Sequence, residues 1–252
     1  MDTIPLSERL IFALDLPSPE DAKRWVERLE DQVRFFKVGF ELFLAGGFPV
    51  VEWIQSRGAK VFLDLKFFDV PATVERAVAQ VARRGVTFTT VHGNDRILEA
   101  AVRAKGAVKI LAVTALTSLD EGDLKDLGFQ CSVEDLVLSR ARRAMALGCD
   151  GLISSGLEVP RLRRELGSGS ILVAPGIRPV ANVDDQKRTV DPRQAFAAGA
   201  DHIVVGRPIR DAADPQAAAQ KILAQIEEGL RERRKVKGER LKAKGERLKV
   251  KG

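Results

Sequence analysis

The feature that most constrains the fold is a short apolar run, rich in β-branched residues, that is followed by turn residues and then by an amphipathic stretch. This unit occurs eight times along the chain. The predicted strands are residues 10–14, 35–38, 60–66, 88–92, 109–113, 151–154, 171–174 and 202–205. Apolar strands that alternate with helices indicate a parallel sheet covered by those helices. Eight such units predict an α/β fold, a single-domain (β/α)8 TIM barrel over residues 1–230.

The stretches between the predicted strands carry helix start and stop signals. Residues 19–30 follow Ser18, which is a favourable N-cap, and residues 71–84 end before Gly85. An open doubly wound sheet is the alternative fold. Such a sheet usually has a GxGxxG turn after its first strand, whereas residues 15–18 read Asp-Leu-Pro-Ser. The turn therefore favours the barrel.

Composition bounds the class of protein. Hydrophobic residues make up 45% of the chain and charged residues 30%, which is typical of a globular protein. No apolar run approaches the ~20 residues that a membrane helix needs, and the N-terminus lacks the pattern of a secretory signal. The two cysteines, Cys131 and Cys149, are too few for a disulfide scaffold and too isolated for a zinc site. We therefore expect a cytoplasmic protein with no membrane partner.

Residues 231–252 differ in charge from the rest of the chain. They carry 11 Lys or Arg and 3 Glu, which leaves 30 basic and 32 acidic residues in the body. Glycine recurs every seven residues, and the apolar positions are spaced by five and two rather than by the three and four of a coiled coil. The segment is predicted to be a basic, low-complexity and mostly disordered tail. Weak contact with nucleic acid or anionic surfaces is the alternative reading of the tail, although no nucleic-acid partner is expected for the protein.

Polar residues lie at or just after every predicted strand. In (β/α)8 barrels the functional site is built at the carboxyl ends of the strands. The polar residues at these strand ends are Asp15, Lys37, Asp64, Lys66, Asp69, His92, Thr114, Thr117, Ser154, Ser155, Arg178 and Arg207, and Gly206 lies beside the last of them. A purely structural core would not select so many charged groups, so we expect the charges to meet at one mouth of the barrel.

The third predicted strand carries charges at alternate positions. Asp64 and Lys66 are two residues apart, so both should point into the barrel while Leu63, Leu65 and Phe67 face the helices. Burying a charge is costly unless it is paired. An acid and an amine at these positions favour a preorganised functional array, and a buried ion pair that only stabilises the barrel is the alternative.

Residues 62–71 read FLDLKFFDVP and resemble the signature of the orotidine 5′-phosphate decarboxylase family. Other matching segments lie in order along the chain: ALD at 13–15, FKVG at 36–39, VTALTS at 113–118, PGIRP at 175–179 and VGRPI at 205–209. The resemblance covers residues 8–230. The departures are Val70 in place of isoleucine, Phe68 where histidine is common, and the basic tail, and none of them removes a charged group.

The resemblance implies that the chain decarboxylates orotidine 5′-phosphate to uridine 5′-phosphate and carbon dioxide without a cofactor, as the last step of de novo UMP biosynthesis. It implies that Lys66 is the proton donor beside the developing negative charge and that Asp64 lies near the departing carboxylate. Lys37 and Asp69 would extend a catalytic array of alternating sign. No metal is expected, and no dinucleotide or P-loop fingerprint occurs in the sequence.

The resemblance also assigns residues that bind the substrate. Asp15 and Lys37 would hydrogen-bond the ribose hydroxyls, and Thr117 would contact the edge of the pyrimidine. Asp69 and Thr73 would enter the site of the neighbouring subunit, which implies a homodimer with composite sites.

A phosphate site is expected from the barrel itself, because the loops after its last two strands commonly bind phosphate. Gly206 would offer a backbone N–H and Arg207 a guanidinium fork. The resemblance adds Arg178 and Gln186 to this site. Gln186 belongs to the polar stretch 178–191, which is long enough to be a closing lid.

Two other functions are possible for a barrel with these residues. A metal-dependent sugar-phosphate decarboxylase or aldolase of the same barrel type would bind a divalent ion at acidic strand ends, but the KVG, LTS and PGIRP segments argue against it. A non-catalytic nucleotide-binding or nucleic-acid-associated protein would use the tail, but a simple binder has no reason to bury an acid beside an amine. His92 is expected to be structural or to line the site, and His202 to be structural.

Overall fold

Eight parallel strands close on themselves in chain order, and the last strand pairs with the first. The structure is a computed structural model that describes residues 4–116, 118–178 and 190–249, with the backbone alone at 237 and 240–249. The strands are β1 Leu10–Ala13, β2 Phe35–Val38, β3 Lys60–Phe67, β4 Phe88–His92, β5 Lys109–Val113, β6 Gly151–Ile153, β7 Ile171–Pro175 and β8 His202–Val205. The predicted (β/α)8 TIM barrel is confirmed, and each strand ends within one residue of its predicted limit.

Helices surround the barrel. They are α1 Leu6–Arg9, α2 Pro19–Leu29, α3 Phe40–Ser56, α4 Pro71–Arg83, α5 Asp95–Ala104, α6 Glu121–Asp126, α7 Val133–Ala146, α8 Val159–Leu166, α9 Pro192–Ala198, α10 Arg207–Arg210 and α11 Pro215–Lys249. Ser18 caps α2, since its hydroxyl accepts the N–H of Asp21 at 3.1 Å. None of the described helices combines the length and the apolar character needed to cross a membrane.

The buried side chains form two layers because successive residues of a strand point to opposite faces. One layer lies between the strands and the helices and is the larger of the two. The other fills the barrel and consists of Ile11, Ala13, Phe35, Phe62, Phe88, Leu111, Val113, Ile153, Val173 and Val204. The barrel is thus a packed core and not a pore.

Aromatic rings form a floor inside the barrel. The Phe88 ring centroid lies 4.9 Å from that of Phe35 and 6.1 Å from that of Phe62. His202 completes the floor at 5.7 Å from Phe35 and 5.2 Å from Phe88. Because inward positions recur every second residue, the next inward residues on β2, β3 and β4 are two positions further along each strand. The floor therefore lies directly beneath Lys37, Asp64 and Thr90.

The C-terminal helix extends beyond the predicted boundary at residue 230. The backbone of α11 is helical through Lys249, where the sequence favours disorder from 231 onward. Arg233 anchors this part, because its Nη1 donates to the carbonyl of Ala200 at 3.2 Å, and Glu232 pairs with Arg193 on α9. Extending an existing helix by further residues costs far less free energy than nucleating a new helix. The backbone helix of α11 thus runs across the change in composition at residue 231.

The buried ring of His202 predicts an acid-sensitive stability. Its Nδ1 donates to the carbonyl of Glu8 at 2.9 Å, and burial lowers the pKa of the ring to about 4 from an ordinary value of 6.5. As the pH falls from 6.5 to 4, the His202 ring binds a proton in the unfolded chain but remains largely neutral in the folded chain. The free energy of unfolding should therefore fall by about 3 kcal/mol from this group alone.

Urea unfolding of the wild type and of His202→Gln at pH 7 and pH 4.5 measures this effect. We expect the substitution to lower stability at pH 7 and to make the decrease toward pH 4.5 smaller. Equal decreases in both proteins would contradict the assignment.

Candidate active site

A cavity of about 150 Å³ lies above the aromatic floor at the mouth of the barrel. Three of its lining residues are ionisable and the others are apolar. They are Lys37, Asp64 and Lys66, with Phe62, Val113, Ala115, Leu116, Ile153, Pro175 and Val204. Charges held against apolar walls interact more strongly than they would in bulk water, because fewer water molecules can screen them.

The charged residues at this mouth form two ion pairs. Lys66 Nζ lies 2.9 Å from each carboxylate oxygen of Asp64, and 14% of the Asp64 side chain is exposed. Lys37 Nζ lies 2.7 Å from Asp15 Oδ1, and 11% of the Lys37 side chain is exposed. Gly39 leaves room for this ammonium, since a Cβ there would lie 3.1 Å from Lys37 Nζ. Lys37 and Asp64 line the same cavity, but no ion pair joins them among the residues that the structure describes.

A β-bulge places Lys66. Leu63 pairs with Thr89 and Phe67 pairs with Val91, so three residues of β3 lie opposite the single residue Thr90 of β4. Within the bulge, Lys66 has a positive φ of 42° and is the one described residue other than glycine with a positive φ. The bulge adds two residues, and this even number keeps Phe67 on the outer face together with Leu63, as the alternation predicts.

Thr90 lies inside the bulge and was not identified from the sequence. Its side chain is fully buried. The hydroxyl accepts the backbone N–H of Lys66 at 2.9 Å and donates to Asp64 Oδ1 at 2.8 Å. The alternation of β4 carries a signal for it, because a polar residue two positions after the inward-facing Phe88 must also face inward.

Asp69 and Thr73 lie outside the cavity of their own chain. Asp69 is exposed and its Oδ1 accepts the N–H of Val70 at 2.6 Å. Thr73 lies in the first turn of α4, where its hydroxyl accepts from Arg76 at 3.4 Å. Within the described residues, neither side chain is paired with Lys37 or Lys66.

The predicted phosphate residues lie beyond β7 and β8. Gly206 precedes α10 and passes close to β1, since a Cβ there would lie 3.4 Å from that of Ala13. Arg207 is exposed at the start of α10, and Arg178 is half-buried after β7. The predicted residues Thr117 and Gln186, and residues 179–189 of the predicted lid over 178–191, lie outside the described residues.

Arg210 also contributes to this side of the mouth and was not identified from the sequence. Its Nη1 donates to the backbone carbonyl of Asp15 at 3.1 Å, and its Nε pairs with Asp211. The side chain thereby ties α10, which follows β8, to the loop after β1. The sequence offers no signal for this contact because it joins residues 195 positions apart.

His92 lines a second cavity, of about 360 Å³, beside the first. Phe68 and Arg140 share this cavity, and the rings of His92 and Phe68 are 5.4 Å apart. Burial, and then the positive charges of Arg140 and Lys66, lower the pKa of His92, so the ring is neutral at neutral pH. Among the described residues, no group of three or more His, Cys, Asp or Glu side chains is placed to hold a metal ion.

Comparison with known proteins places the chain in a family context. Residues 8–222 match the model of the orotidine 5′-phosphate decarboxylase / HUMPS family. A Methylococcus capsulatus protein named orotidine 5′-phosphate decarboxylase is 65% identical over 226 residues, which are 88% of this chain and 93% of that protein. A protein of the same name from Rhodopseudomonas palustris is 49% identical over 229 residues, 90% of this chain and 97% of that protein.

A solved structure shows the same similarity in three dimensions. The crystal structure of orotidine 5′-phosphate decarboxylase from Lactobacillus acidophilus superposes with a TM-score of 0.79 at 37% identity. The superposition covers 87% of this chain and 99% of that one.

Proposed function

The chain belongs to the orotidine 5′-phosphate decarboxylase / HUMPS family, and from that membership we infer that it decarboxylates orotidine 5′-phosphate to uridine 5′-phosphate and carbon dioxide. It is a carboxy-lyase of pyrimidine biosynthesis. In the structure, the observation that supports this function is the Lys66–Asp64 pair, which lies in an otherwise largely apolar cavity at the mouth of the barrel.

Lys66 is proposed to protonate the substrate. When the bond between C6 of the pyrimidine and its carboxylate breaks, carbon dioxide leaves and the electron pair stays on C6. The Lys66 ammonium beside C6 stabilises that charge and then transfers a proton to it, after which water reprotonates the amine. A fixed ammonium stabilises the charge without the reorganisation that water would need.

Asp64 is proposed to orient the Lys66 ammonium and to raise the free energy of the bound substrate. Both of its oxygens lie 2.9 Å from Lys66 Nζ, so the carboxylate orients the ammonium. A substrate carboxylate that enters the same cavity comes close to this second anion. Repulsion between the two carboxylates is relieved when carbon dioxide departs, which favours the transition state over the bound substrate.

The remaining substrate-binding residues are proposed to hold the parts of the molecule that do not react. The Asp15–Lys37 pair offers a charged acceptor and a charged donor to the ribose hydroxyls. Arg178, Gln186, Gly206 and Arg207 are proposed to bind the phosphate, and Thr117 the edge of the pyrimidine. Binding energy from the phosphate and the ribose then holds the substrate carboxylate close to the Asp64 carboxylate.

A homodimer is proposed to complete each site. Asp69 is exposed and does not contact the charged pairs of its own chain, so in this arrangement it is free to serve a neighbouring site together with Thr73. Phe68 and Val70, on either side of it, are 67% and 62% exposed. Exposed apolar side chains of this size next to a functional carboxylate are typical of a surface that a partner covers. A second copy of the chain is the partner that would extend the array of alternating charges.

The metabolic role supports a cytoplasmic location, which we also propose. Both cysteines are free, and Cys149 is buried, where burial raises the pKa of its thiol to about 12. A thiol with so high a pKa remains protonated and unreactive.

Replacing Lys66 tests the proposed chemistry. We expect the wild type to consume orotidine 5′-phosphate at an undiminished rate after treatment with a chelator, and Lys66→Ala to lose at least about 1,000-fold in kcat, since the donor and its charge are both removed. Loss of orotate absorbance measures turnover, and calorimetry with uridine 5′-phosphate measures binding. Lys60→Ala is the matched control, because Lys60 begins the same strand at the opposite end and pairs with Glu8.

Three outcomes would contradict these assignments. A folded wild type with no turnover would refute the function. A near-normal rate in Lys66→Ala would refute the role of that lysine. Loss of activity on chelation would indicate metal-dependent chemistry instead.

Mixed dimers test the proposed composite site. Lys66→Ala and Asp69→Ala should each be nearly inactive alone. A dimer that contains one chain of each has one site with both changes and one intact site. Random assortment of refolded chains should therefore restore about a quarter of the wild-type activity.

Native mass spectrometry of the mixture shows whether mixed dimers have formed. If mixed dimers are present and activity stays at the level of the parents, Asp69 serves its own subunit and the composite site is wrong.

Truncation tests whether the basic C-terminal segment takes part in the activity. A chain that ends after Val236 retains Glu232 and Arg233, which contact α9 and the segment after it. We expect kcat, KM and the oligomeric state to match those of the full chain, because no described residue beyond Val236 lines the cavity. Lower activity in the folded truncated protein would show that the segment is functional.

A further inference from the structure

We propose that Thr90 is a positioning residue for the decarboxylation, because its hydroxyl holds both the carboxylate of Asp64 and the backbone of Lys66 in their working arrangement. Thr90 is fully buried and is absent from the lining of the cavity that contains Lys66. Its effect on the reaction must therefore pass through its neighbours. The proposal rests on the proposed role of Lys66 as proton donor.

The direction of each hydrogen bond follows from the groups involved. The N–H of Lys66 can only donate, so the Thr90 oxygen accepts it at 2.9 Å. The carboxylate of Asp64 only accepts, so the Thr90 hydroxyl donates its single proton to Oδ1 at 2.8 Å. The two bonds form a chain from the backbone N–H through the hydroxyl to the anion, and each bond polarises the next.

The bulge explains why this hydroxyl is needed. Three residues of β3 lie opposite Thr90 alone, so Lys66 cannot use the regular ladder between β3 and β4 to satisfy its N–H. The positive φ of 42° is also unfavourable for a residue with a Cβ. Such a conformation persists only where its surroundings hold it. The bond from Lys66 N–H to the Thr90 side chain takes the place of the missing ladder bond.

The same hydroxyl fixes the orientation of the charged pair. Among the described residues, Asp64 Oδ1 accepts from both Thr90 and Lys66 Nζ, and Oδ2 accepts from Lys66 Nζ alone. Without the hydroxyl, the carboxylate loses the contact that keeps it from rotating. The Lys66 ammonium would then move with the carboxylate, because its hydrogen bonds to described residues are to these two Asp64 oxygens.

Thr89 provides a matched comparison within the same strand. It is also fully buried, and its hydroxyl donates to the carbonyl of Leu63 at 2.9 Å. Its side chain lies on the face of β4 opposite to that of Thr90. Replacing either threonine by valine preserves shape and removes one buried hydroxyl, but only the change at residue 90 reaches the charged pair.

The experiment compares Thr90→Val, Thr90→Ser and Thr89→Val by steady-state kinetics and thermal unfolding. We expect Thr90→Val to lose about 100-fold in kcat with KM nearly unchanged, which is the loss that a displacement of a reacting group by about 1 Å can cause. Thr90→Ser keeps the hydroxyl and should restore most of kcat. Thr89→Val should lower Tm to a similar extent as Thr90→Val and leave kcat near that of the wild type.

Three results would overturn the proposal. The first is equal kcat in Thr90→Val and Thr89→Val. The second is an equal loss of kcat in Thr90→Val and Thr90→Ser, which would show that the methyl group matters and not the hydroxyl. The third result concerns the case in which Thr90→Val does not fold. Thr90→Cys is then measured in its place, because a thiol is only a weak hydrogen-bond donor. If kcat of Thr90→Cys equals that of Thr90→Ser, the proposal is overturned. A wild type without turnover would instead contradict the proposed function.

Discussion

The half-buried ion pair between Lys66 and Asp64 is the interaction on which the site depends. Two charges at the mouth of a barrel lose part of their hydration, and their attraction offsets this cost only if the geometry is good and the other polar atoms are satisfied. Here the ammonium lies 2.9 Å from both carboxylate oxygens, and Thr90 donates to one of them. The pair is therefore held in place before any substrate arrives, which is what electrostatic catalysis requires.

The barrel makes this arrangement possible through the period of its strands. Phe35, Phe62 and Phe88 point inward and pack together, and the next inward residues are Lys37, Asp64 and Thr90. An apolar floor thus lies directly beneath a polar layer. The floor closes the cavity from below, and the cavity lies at the mouth of the barrel. One strand pattern, apolar and then polar at alternate positions, accounts for both the apolar floor and the polar layer of the cavity above it.

The fold and the charges of the site can be predicted largely from the sequence. Eight apolar runs separated by helix signals indicate the barrel, and the alternation in residues 62–67 indicates that Asp64 and Lys66 share a face. These inferences succeed because they depend on local periodicity, which short segments carry by themselves. The helix through Lys249 was not predicted, because its propagation depends on an anchor at Arg233 that the local glycine-rich pattern does not show.

The sequence alone determined that an acid and an amine on one strand would face the interior of a (β/α)8 barrel. The closed sheet decided how they meet. Only the pairing of β3 with β4 reveals that three residues lie opposite Thr90, that Lys66 has a positive φ, and that one hydroxyl joins it to Asp64. The register between two strands depends on contacts between residues more than twenty positions apart, and no local pattern in the chain encodes such contacts.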